Sequence, residues 1–346
     1  MGGLEVTICF LMEPPRLAIK LANKLLGKEA DAFLEGLYGE REYAPSLLWT
    51  KERRNPNPFE LAEKPAWVPD FIDFSAPGQR PGQSELQEKG DLYVLDPSSV
   101  AEASVLQGIT ISGAPAPKSI LDVCSAPGGK GIFSWRLFRP DLLVANDALR
   151  KRLGMLNFNL IRCGIQPCIM TSCDPQGLAD PLEGQFDLVI VDAPCSGQSM
   201  AAKGKEAGGG FHPATVNQNS NRQKRILGHS ARTVKPGGFI AYMTCTYSPE
   251  ENEDVIRWLR KKMPEFVPVD LPHMTDMQSH LADFPCIRVW PHKGPGAGGF
   301  ACLLQRQGGQ EYELNLDWLK ARSLGPKGGS SDSISIESID AEDEAD

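Results

Sequence analysis

The chain has 346 residues, 41% of them hydrophobic and nine of them cysteines, with a formal net charge of −8. That length holds one large domain or two moderate ones, and no apolar run approaches the roughly 20 residues of a membrane span. The cysteines are odd in number and form no C-x-x-C pair, which argues against a zinc knuckle and reads as mostly buried thiols in a reducing cytoplasm.

The opening "MGGLEVTICFLMEPP" has an acid before a short apolar run and no basic region, so no signal peptide is expected. Val6 also breaks a myristoylation pattern. "PRLAIKLANKLLG" and "KEADAFLEGLYG", within residues 15–40, predict two short helices that each close on glycine. Residues 50–92 are rich in proline, glycine and charge, and predict an irregular connection. "DPSSVAEASVLQG" (96–108) predicts a helix capped by Ser98 or Ser99. Residues 1–95 are thus expected to form a small, mostly helical and partly irregular N-terminal region.

From about residue 118 the rhythm changes. Apolar β-type runs occur at "SILDVCS" (119–125), "LLVAND" (142–147), "CIMTSCD" (168–174), "FDLVIVDAP" (186–194) and "GGFIAYMTC" (237–245). Helical patterns lie between them, near 129–138, 147–163, 215–234 and 249–262. This alternation predicts an α/β domain with a parallel sheet covered on both faces. "CIRVWP" and "GFACLLQR" predict a terminal antiparallel hairpin across a Gly-rich turn. We place this domain at 96–308, a C-terminal extension at 309–326 and a disordered acidic tail at 327–346. The segment "SSDSISIESIDAEDEAD" carries seven acids and no base, so the rest of the chain has a net charge of only −1. The basic clusters "KERR", "RKR", "RQKR" and "RKK" then permit an RNA partner.

Ligands of such sheets bind beyond the carboxyl ends of the strands. There, "LDVCSAPGGKG" (121–131) joins a strand to a helix through Gly128 and Gly129, letting backbone approach a ligand. It matches neither a P-loop nor G-x-G-x-x-G. Asp147, Asp174 and Asp192 end the next three strands. Asp147 is positioned to accept ribose hydroxyls and Asp174 an adenine amino group, so the pattern points to a bound nucleoside.

Two cysteines stand at adjacent strand ends, Cys195 in "DAPCSG" and Cys245 in "TCTYSPEEN". The residue after Pro194 is not the aromatic that amine methylation would use to stack a base. Cytosine gives the thiols a purpose: a thiolate adding to carbon 6 makes carbon 5 nucleophilic. Asp192 is placed to supply or share a proton at ring nitrogen 3. Lys130 either polarises the base or is a surface lysine at a helix start. The residues alone do not rank the two thiols.

The motifs "DVCSAPGGK", "ANDALRKR", "FDLVIVDAPCSG", "KPGG", "TCTYSPEENE" and "RVWPHKGPGAGGF" resemble the Sun-type (Nop2/Fmu-like) RNA cytosine-5 methyltransferases over about 96–306. The resemblance implies a Rossmann-like methyltransferase fold with a mostly parallel seven-stranded sheet. It implies S-adenosylmethionine as cofactor, held by Cys124, Ser125, Ala126, Pro127, Gly128, Gly129, Lys130, Asp147, Arg152, Asp174 and Asp192. It implies catalysis by Cys245 as nucleophile and Cys195 in release, with Asp192 and Lys130 assisting, and no metal. The implied partner is RNA, with ribosomal RNA or a ribosomal subunit ahead of transfer RNA, bound partly by residues 1–95. A cytoplasmic monomer without membrane attachment is expected. Gln198–Ala202 departs from the Glu-Gly-aromatic-Arg run of many relatives, which motivates a rival reading as a catalytically silent, cofactor-binding RNA-assembly factor. A thiol–disulfide oxidoreductase is a further rival, disfavoured by the lack of C-x-x-C. Glu250 and Glu251 are expected in the first turn of a helix, and Asn252 and Glu253 carry no expected role.

Overall fold

The computed structural model describes residues 12–40, 44–205, 209–294 and 296–324. Helices α1 (Arg16–Leu26) and α2 (Ala30–Tyr38) form where expected. The stretch expected to be irregular instead contains an antiparallel sheet, β1 (Ser46–Trp49), β2 (Leu61–Ala62), β3 (Ile72–Ser75) and β4 (Leu92–Leu95), in the order β2-β3-β1-β4. The N-terminal region is therefore mixed rather than mostly helical. Strands of two to four residues, separated by prolines, are too short to display an alternating pattern. Packing supplies what the pattern lacks: Leu48, Ile72, Phe74 and Tyr93 join the same core as the main sheet. The short helix α3 (Glu85–Glu88) precedes β4, capped by Ser84.

Helices α4 (Pro97–Ser104) and α5 (Gly108–Ile111) lead into the main sheet. Its elements alternate as β5 (Ser119–Asp122), α6 (Gly129–Phe138), β6 (Leu142–Asn146), α7 (Leu153–Arg162), β7 (Cys168–Thr171), α8 (Pro175–Ala179), β8 (Phe186–Asp192), α9 (Pro213–Arg232), β9 (Val234–Thr244) and α10 (Glu253–Lys262). Then come β10 (Phe266–Pro268), β11 (Ile287–Val289), β12 (Gly299–Arg306) and α11 (Leu316–Ala321). The path β10-β12-β9-β8-β5-β6-β7 has seven strands, and β11 forms the expected hairpin with β12. Pairing is parallel from β7 through β9 and antiparallel at β12.

The continuous apolar runs are continuous because both faces are covered. Successive residues alternate between two cores. Ile120, Leu188, Ile190, Ala241 and Met243 face one core, which includes Val100 of α4 and Phe133 of α6. Leu121, Val189, Val191, Ile240 and Tyr242 face the other, which includes Leu227 of α9 and Leu319 of α11. By the same parity Asp192 and Cys245 emerge on the side of α4 and α6. The strand order reverses direction at β5, which pairs with both β6 and β8; a crevice at such a switch point is where these sheets bind ligands. Helices α1 and α2 close the site end. Phe33 packs edge-on against Tyr247, with ring centroids 4.9 Å apart, and Trp290 stacks on Tyr247 at 5.9 Å. The expected acidic tail lies outside the described residues.

Candidate active site

The β5 tip carries the glycine turn. Gly128 takes φ +115°, a conformation costly for any residue with a Cβ, and turns the chain into α6. The loop is fastened from outside. Asn159 Nδ2 donates to the Pro127 carbonyl at 2.8 Å, and Arg152 donates to the Ala126 carbonyl. Asp147 accepts from the N–H of Ala126 at 3.2 Å and of Leu149 at 3.0 Å, and pairs with Arg152 at 3.2 Å. Ser125, Gly128 and Asp147 are buried, and Pro127 is exposed. The Cys124 thiol packs against the α9-side core and is pushed up by burial, which makes it an inert lining group.

One residue of this tip had no expected role. Asp122 ends β5 fully buried, and neither of its carboxylate oxygens hydrogen-bonds to a described residue. Burial raises its pKa to about 7, opposed by the nearby Ser125 hydroxyl and reinforced by Asp192 and Asp147. Ser125 Oγ is likewise buried and unmatched among the described residues. Buried polar atoms without partners are costly. Their presence beside a glycine turn and a helix start suits a polar, nucleoside-bearing ligand that supplies the missing partners. Asp174 stands apart from this group. It is exposed, caps α8 through the Gln176 N–H at 3.0 Å, and binds Arg225 through two contacts of 2.8 and 3.1 Å. An adenine contact there would have to share Asp174 with Arg225.

The β8 and β9 tips bring the cysteines together. Cys195 Sγ and Cys245 Sγ lie 3.2 Å apart, both as free thiols. Fifty residues separate them, so no C-x-x-C spacing could announce the pair; adjacent parallel strands create it. The environments differ. The Cys195 contact holds Cys245 below the usual thiol range against the opposing effects of burial and Asp192, with Ser199 and Lys203 assisting. The same contact and burial push Cys195 well up, and Glu251 adds to that. Cys245 is therefore the more acidic thiol, a ranking that spacing alone does not provide.

Lys130 is no surface lysine. It is buried, forms an ion pair with Glu102 of α4, and donates to the Ser99 carbonyl at 3.0 Å. Burial lowers its pKa, but Glu102 and Asp192 outweigh this, and it stays charged. Burial pushes Asp192 up, opposed by Lys130 and Arg152. Glu102 and Lys203 are charged neighbours of the candidate site that the sequence did not single out. The available signal was Glu102 itself, the one charge in the otherwise small and apolar "SSVAEASVL".

The rest of "TCTYSPEENE" is scaffold. Glu251 is buried, and its Oε2 accepts from the Ser196 N–H at 2.9 Å and Gln223 Nε2 at 2.8 Å, gripping the turn that carries Cys195. It is not a simple first-turn helix acid. Asn252 accepts from Thr244 Oγ1 at 2.5 Å and donates to the Thr246 carbonyl at 2.9 Å, clamping both neighbours of Cys245. Glu253 forms a buried pair with Arg288. Gln198, in the run that departs from relatives, is buried; its Oε1 accepts from the N–H groups of Tyr247 at 2.9 Å and Ser248 at 3.1 Å. The departure thus leaves the thiol scaffold intact. Of the basic clusters, "KERR" is largely neutralised: Lys51 and Arg54 pair with Asp91 at 2.6 and 2.7 Å, and Arg53 with Asp73 at 2.8 Å. Among the described residues no helix is long and apolar enough to cross a membrane, and no three or more His, Cys, Asp or Glu side chains are grouped so as to hold a metal ion.

The family described as 16S rRNA methyltransferase RsmB/F matches residues 113–305. The chain is 28% identical over 258 residues to ribosomal RNA small subunit methyltransferase F of Psychromonas ingrahamii, covering 71% of this chain and 53% of that one. It is 32% identical over 264 residues to the protein of the same name in Pectobacterium atrosepticum, covering 76% and 50%. The chain thus spans about half the length of these relatives. The crystal structure of NSun6 from Pyrococcus horikoshii with SFG superposes with a TM-score of 0.72, covering 85% of this chain and 99% of that one; at 16% identity this speaks for the fold. Family model and fold agree: the chain belongs to the RsmB/F (NOL1/NOP2/Sun) family and has the α/β methyltransferase fold.

Proposed function

We propose that this chain transfers a methyl group from S-adenosylmethionine to carbon 5 of a cytosine in ribosomal RNA, in the cytoplasm. The observation that carries the reading is the contact of two free thiols at neighbouring strand tips, 3.2 Å apart, in the electrostatic neighbourhood of half-buried Asp192 and buried Lys130. The names of the curated relatives favour ribosomal over transfer RNA. The silent assembly factor has no observation in its favour, because the divergent Gln198 serves the scaffold.

S-adenosylmethionine, when bound, supplies an electrophilic methyl group. Residues 124–129, Asp122, Asp147 and Arg152 would hold it, the unmatched oxygens of Asp122 and Ser125 taking its polar groups. Cys245, as thiolate, adds to carbon 6 of the flipped cytosine. Asp192, whose carboxyl is shifted upward by desolvation, shares a proton with ring nitrogen 3, and electron density rises at carbon 5. Once Cys245 is a neutral thioether, its charge no longer holds the Cys195 proton in place. Cys195 can release that proton to solvent and take the proton from carbon 5. The carbon 5–carbon 6 double bond re-forms, and the carbon–sulfur electrons return to Cys245. Carbon 5 has by then taken the methyl group, the donor leaving as its neutral demethylated thioether, and nitrogen 3 returns its proton to Asp192 as Cys245 departs; the net products are one methylated base, one demethylated donor and one released proton.

The test uses both thiols. Cys245→Ala should abolish methyl incorporation and leave donor binding intact. Cys195→Ala should accumulate a covalent RNA adduct that survives a denaturing gel. An adduct seen only with Cys245→Ala would reverse the two roles, and no incorporation by the unaltered protein into any ribosomal RNA would sink the reading. Bisulfite sequencing of RNA from cells lacking the gene would identify the base.

A further inference from the structure

The two turns that carry the thiols are laced together on both sides of the sulfur pair. Before it, the Ala193 N–H donates to the Met243 carbonyl at 2.9 Å. After it, the Ser196 and Thr246 hydroxyls meet at 2.7 Å, and the Ser199 N–H donates to the Cys245 carbonyl at 3.3 Å. Gln198 accepts from the N–H groups of Tyr247 and Ser248. Gln223 and Glu251 fix the Cys195 turn from behind: Gln223 Nε2 donates to the Pro194 carbonyl at 3.0 Å and to Glu251, which takes the Ser196 N–H. All these contacts lie within the chain. The fold itself therefore holds Sγ of Cys195 at 3.2 Å from Sγ of Cys245.

A disulfide has its sulfurs at about 2.05 Å, so a shift of about 0.6 Å by each closes the gap from 3.2 Å. Both thiols are half-buried, so a molecule as small as hydrogen peroxide can reach them. Cys286 and Cys302 give a contrast inside the same protein. They lie one residue beyond the Ile287–Ala301 rung of the terminal hairpin, but both are fully buried, and burial pushes both thiols up. Sulfur that is neither ionised nor reachable is inert to oxidants.

We propose that Cys195 and Cys245 join in a reversible disulfide when the protein meets a hydroperoxide, and that this bond switches methyl transfer off. Its effect on activity rests on the cytosine-5 reading above; the bond itself does not. Cys245, as thiolate, attacks one peroxide oxygen. The oxygen–oxygen bond breaks, Cys245 becomes a sulfenic acid, and the departing hydroxide takes a proton from solvent. Cys195 then attacks the Cys245 sulfur. The sulfur–sulfur bond forms, the sulfur–oxygen bond breaks, and the hydroxide leaves as water with the Cys195 proton. Two thiols lose one electron each, and one peroxide gains two and ends as two waters. A dithiol reductant reverses the change by exchange, ending as its own disulfide. While the bond stands, no thiolate is available for carbon 6 and no acceptor for the carbon 5 proton. The donor loop at the β5 tip contains neither sulfur, so donor binding persists.

The experiment treats the full chain with limiting hydrogen peroxide, blocks remaining thiols with iodoacetamide and maps the peptides by mass. The expected product is a Cys195–Cys245 linked peptide pair, lighter by two hydrogen atoms, with Cys286 and Cys302 still reduced. Methyl incorporation into ribosomal RNA should be lost in step with that product and return with dithiothreitol, while donor affinity by titration calorimetry stays unchanged. Cys195→Ala under the same treatment should instead give a Cys245 sulfenic acid that dimedone captures. A linked Cys286–Cys302 pair, or dimedone capture of Cys245 in the unaltered protein without the linked peptides, would overturn the proposal. So would full activity in protein that carries the bond. Absence of transfer by the reduced, unaltered protein would instead overturn the cytosine-5 reading, and the peptide map would still decide whether the bond forms.

Discussion

Glu253 and Arg288 meet in a buried, two-pronged ion pair: Nε donates to Oε1 and Nη2 to Oε2, each at 2.6 Å. Their side chains are 0% and 1% exposed. Ser279 Oγ donates to the same carboxylate at 2.8 Å, and Arg288 Nη1 donates to the Tyr247 carbonyl at 2.8 Å. The pair thus ties the helix after Cys245 to β11 and to the segment that carries the thiol.

Removing one partner leaves the other charged and dry. Glu253→Gln should cost about 3–5 kcal/mol in chemical denaturation, and Arg288→Met a similar amount, whereas the double replacement should cost less than the two together. Burial pushes the Glu253 carboxyl up, but Arg288 and Ser279 outweigh it, and the net shift is downward. Its contribution is then complete above the ordinary glutamate pKa of about 4.3 and lost as pH falls through the lower folded value. Acid unfolding of Glu253→Gln should lack that portion of the pH dependence. Equal acid profiles would count against it.

The strands of the main sheet were legible because each is a continuous apolar run with both faces buried, as Leu188 and Val189 on their opposite cores illustrate. The meeting of Cys195, Cys245 and Asp192 at neighbouring strand tips was legible because they sit at the ends of those runs. The N-terminal sheet was not, since β2 has only two residues and no period can be read from two. Glu251 was expected only as a first-turn helix acid, Asn252 carried no expected role, and Gln198 stood out only as a departure from relatives. Their roles are buried hydrogen bonds to groups up to 55 residues away, which local pattern cannot encode. Glu102 needed Lys130 of α6 and the Gly-rich turn to be brought against α4.

Asn252 sets the backbone on both sides of Cys245. In Asn252→Ala the Thr246 carbonyl loses its donor and the Thr244 hydroxyl its acceptor, at a cost of about 1–3 kcal/mol in a buried setting. The expected kinetic effect is a fall in kcat for methyl transfer with donor affinity unchanged, because the β5 loop is untouched. Isothermal titration with the donor alongside turnover assays would separate the two. A variant with weakened donor binding and unchanged kcat would refute the clamp.

Gly299 has no room for a side chain. A Cβ would overlap Glu102 Oε1 and stand 2.8 Å from the Thr244 carbonyl oxygen. Gly299→Ala should lower the thermal midpoint by several degrees, corresponding to about 1–3 kcal/mol of overpacking. Combining it with Glu102→Gln should give no relief, since glutamine keeps the bulk, while Glu102→Ala should restore part of the loss. A Gly299→Ala protein with unaltered melting would show that the turn can move away from α4.

The acidity difference between the thiols predicts their order of reaction. Thiolate is the alkylated form, so limiting iodoacetamide should modify Cys245 before Cys195, with peptide mass mapping as the readout. Cys195→Ala removes the sulfur contact that is the leading cause of the low Cys245 pKa. The Cys245 pKa then rises, the thiolate fraction at neutral pH falls, and its alkylation should slow by about tenfold for each unit of rise while the thiol is mostly protonated. At a pH above the raised value the two proteins should react alike. Slowing that persisted at high pH would point to lost access rather than lost acidity. Preferential labelling of Cys195 in the unaltered chain would invert the assignment of nucleophile and helper.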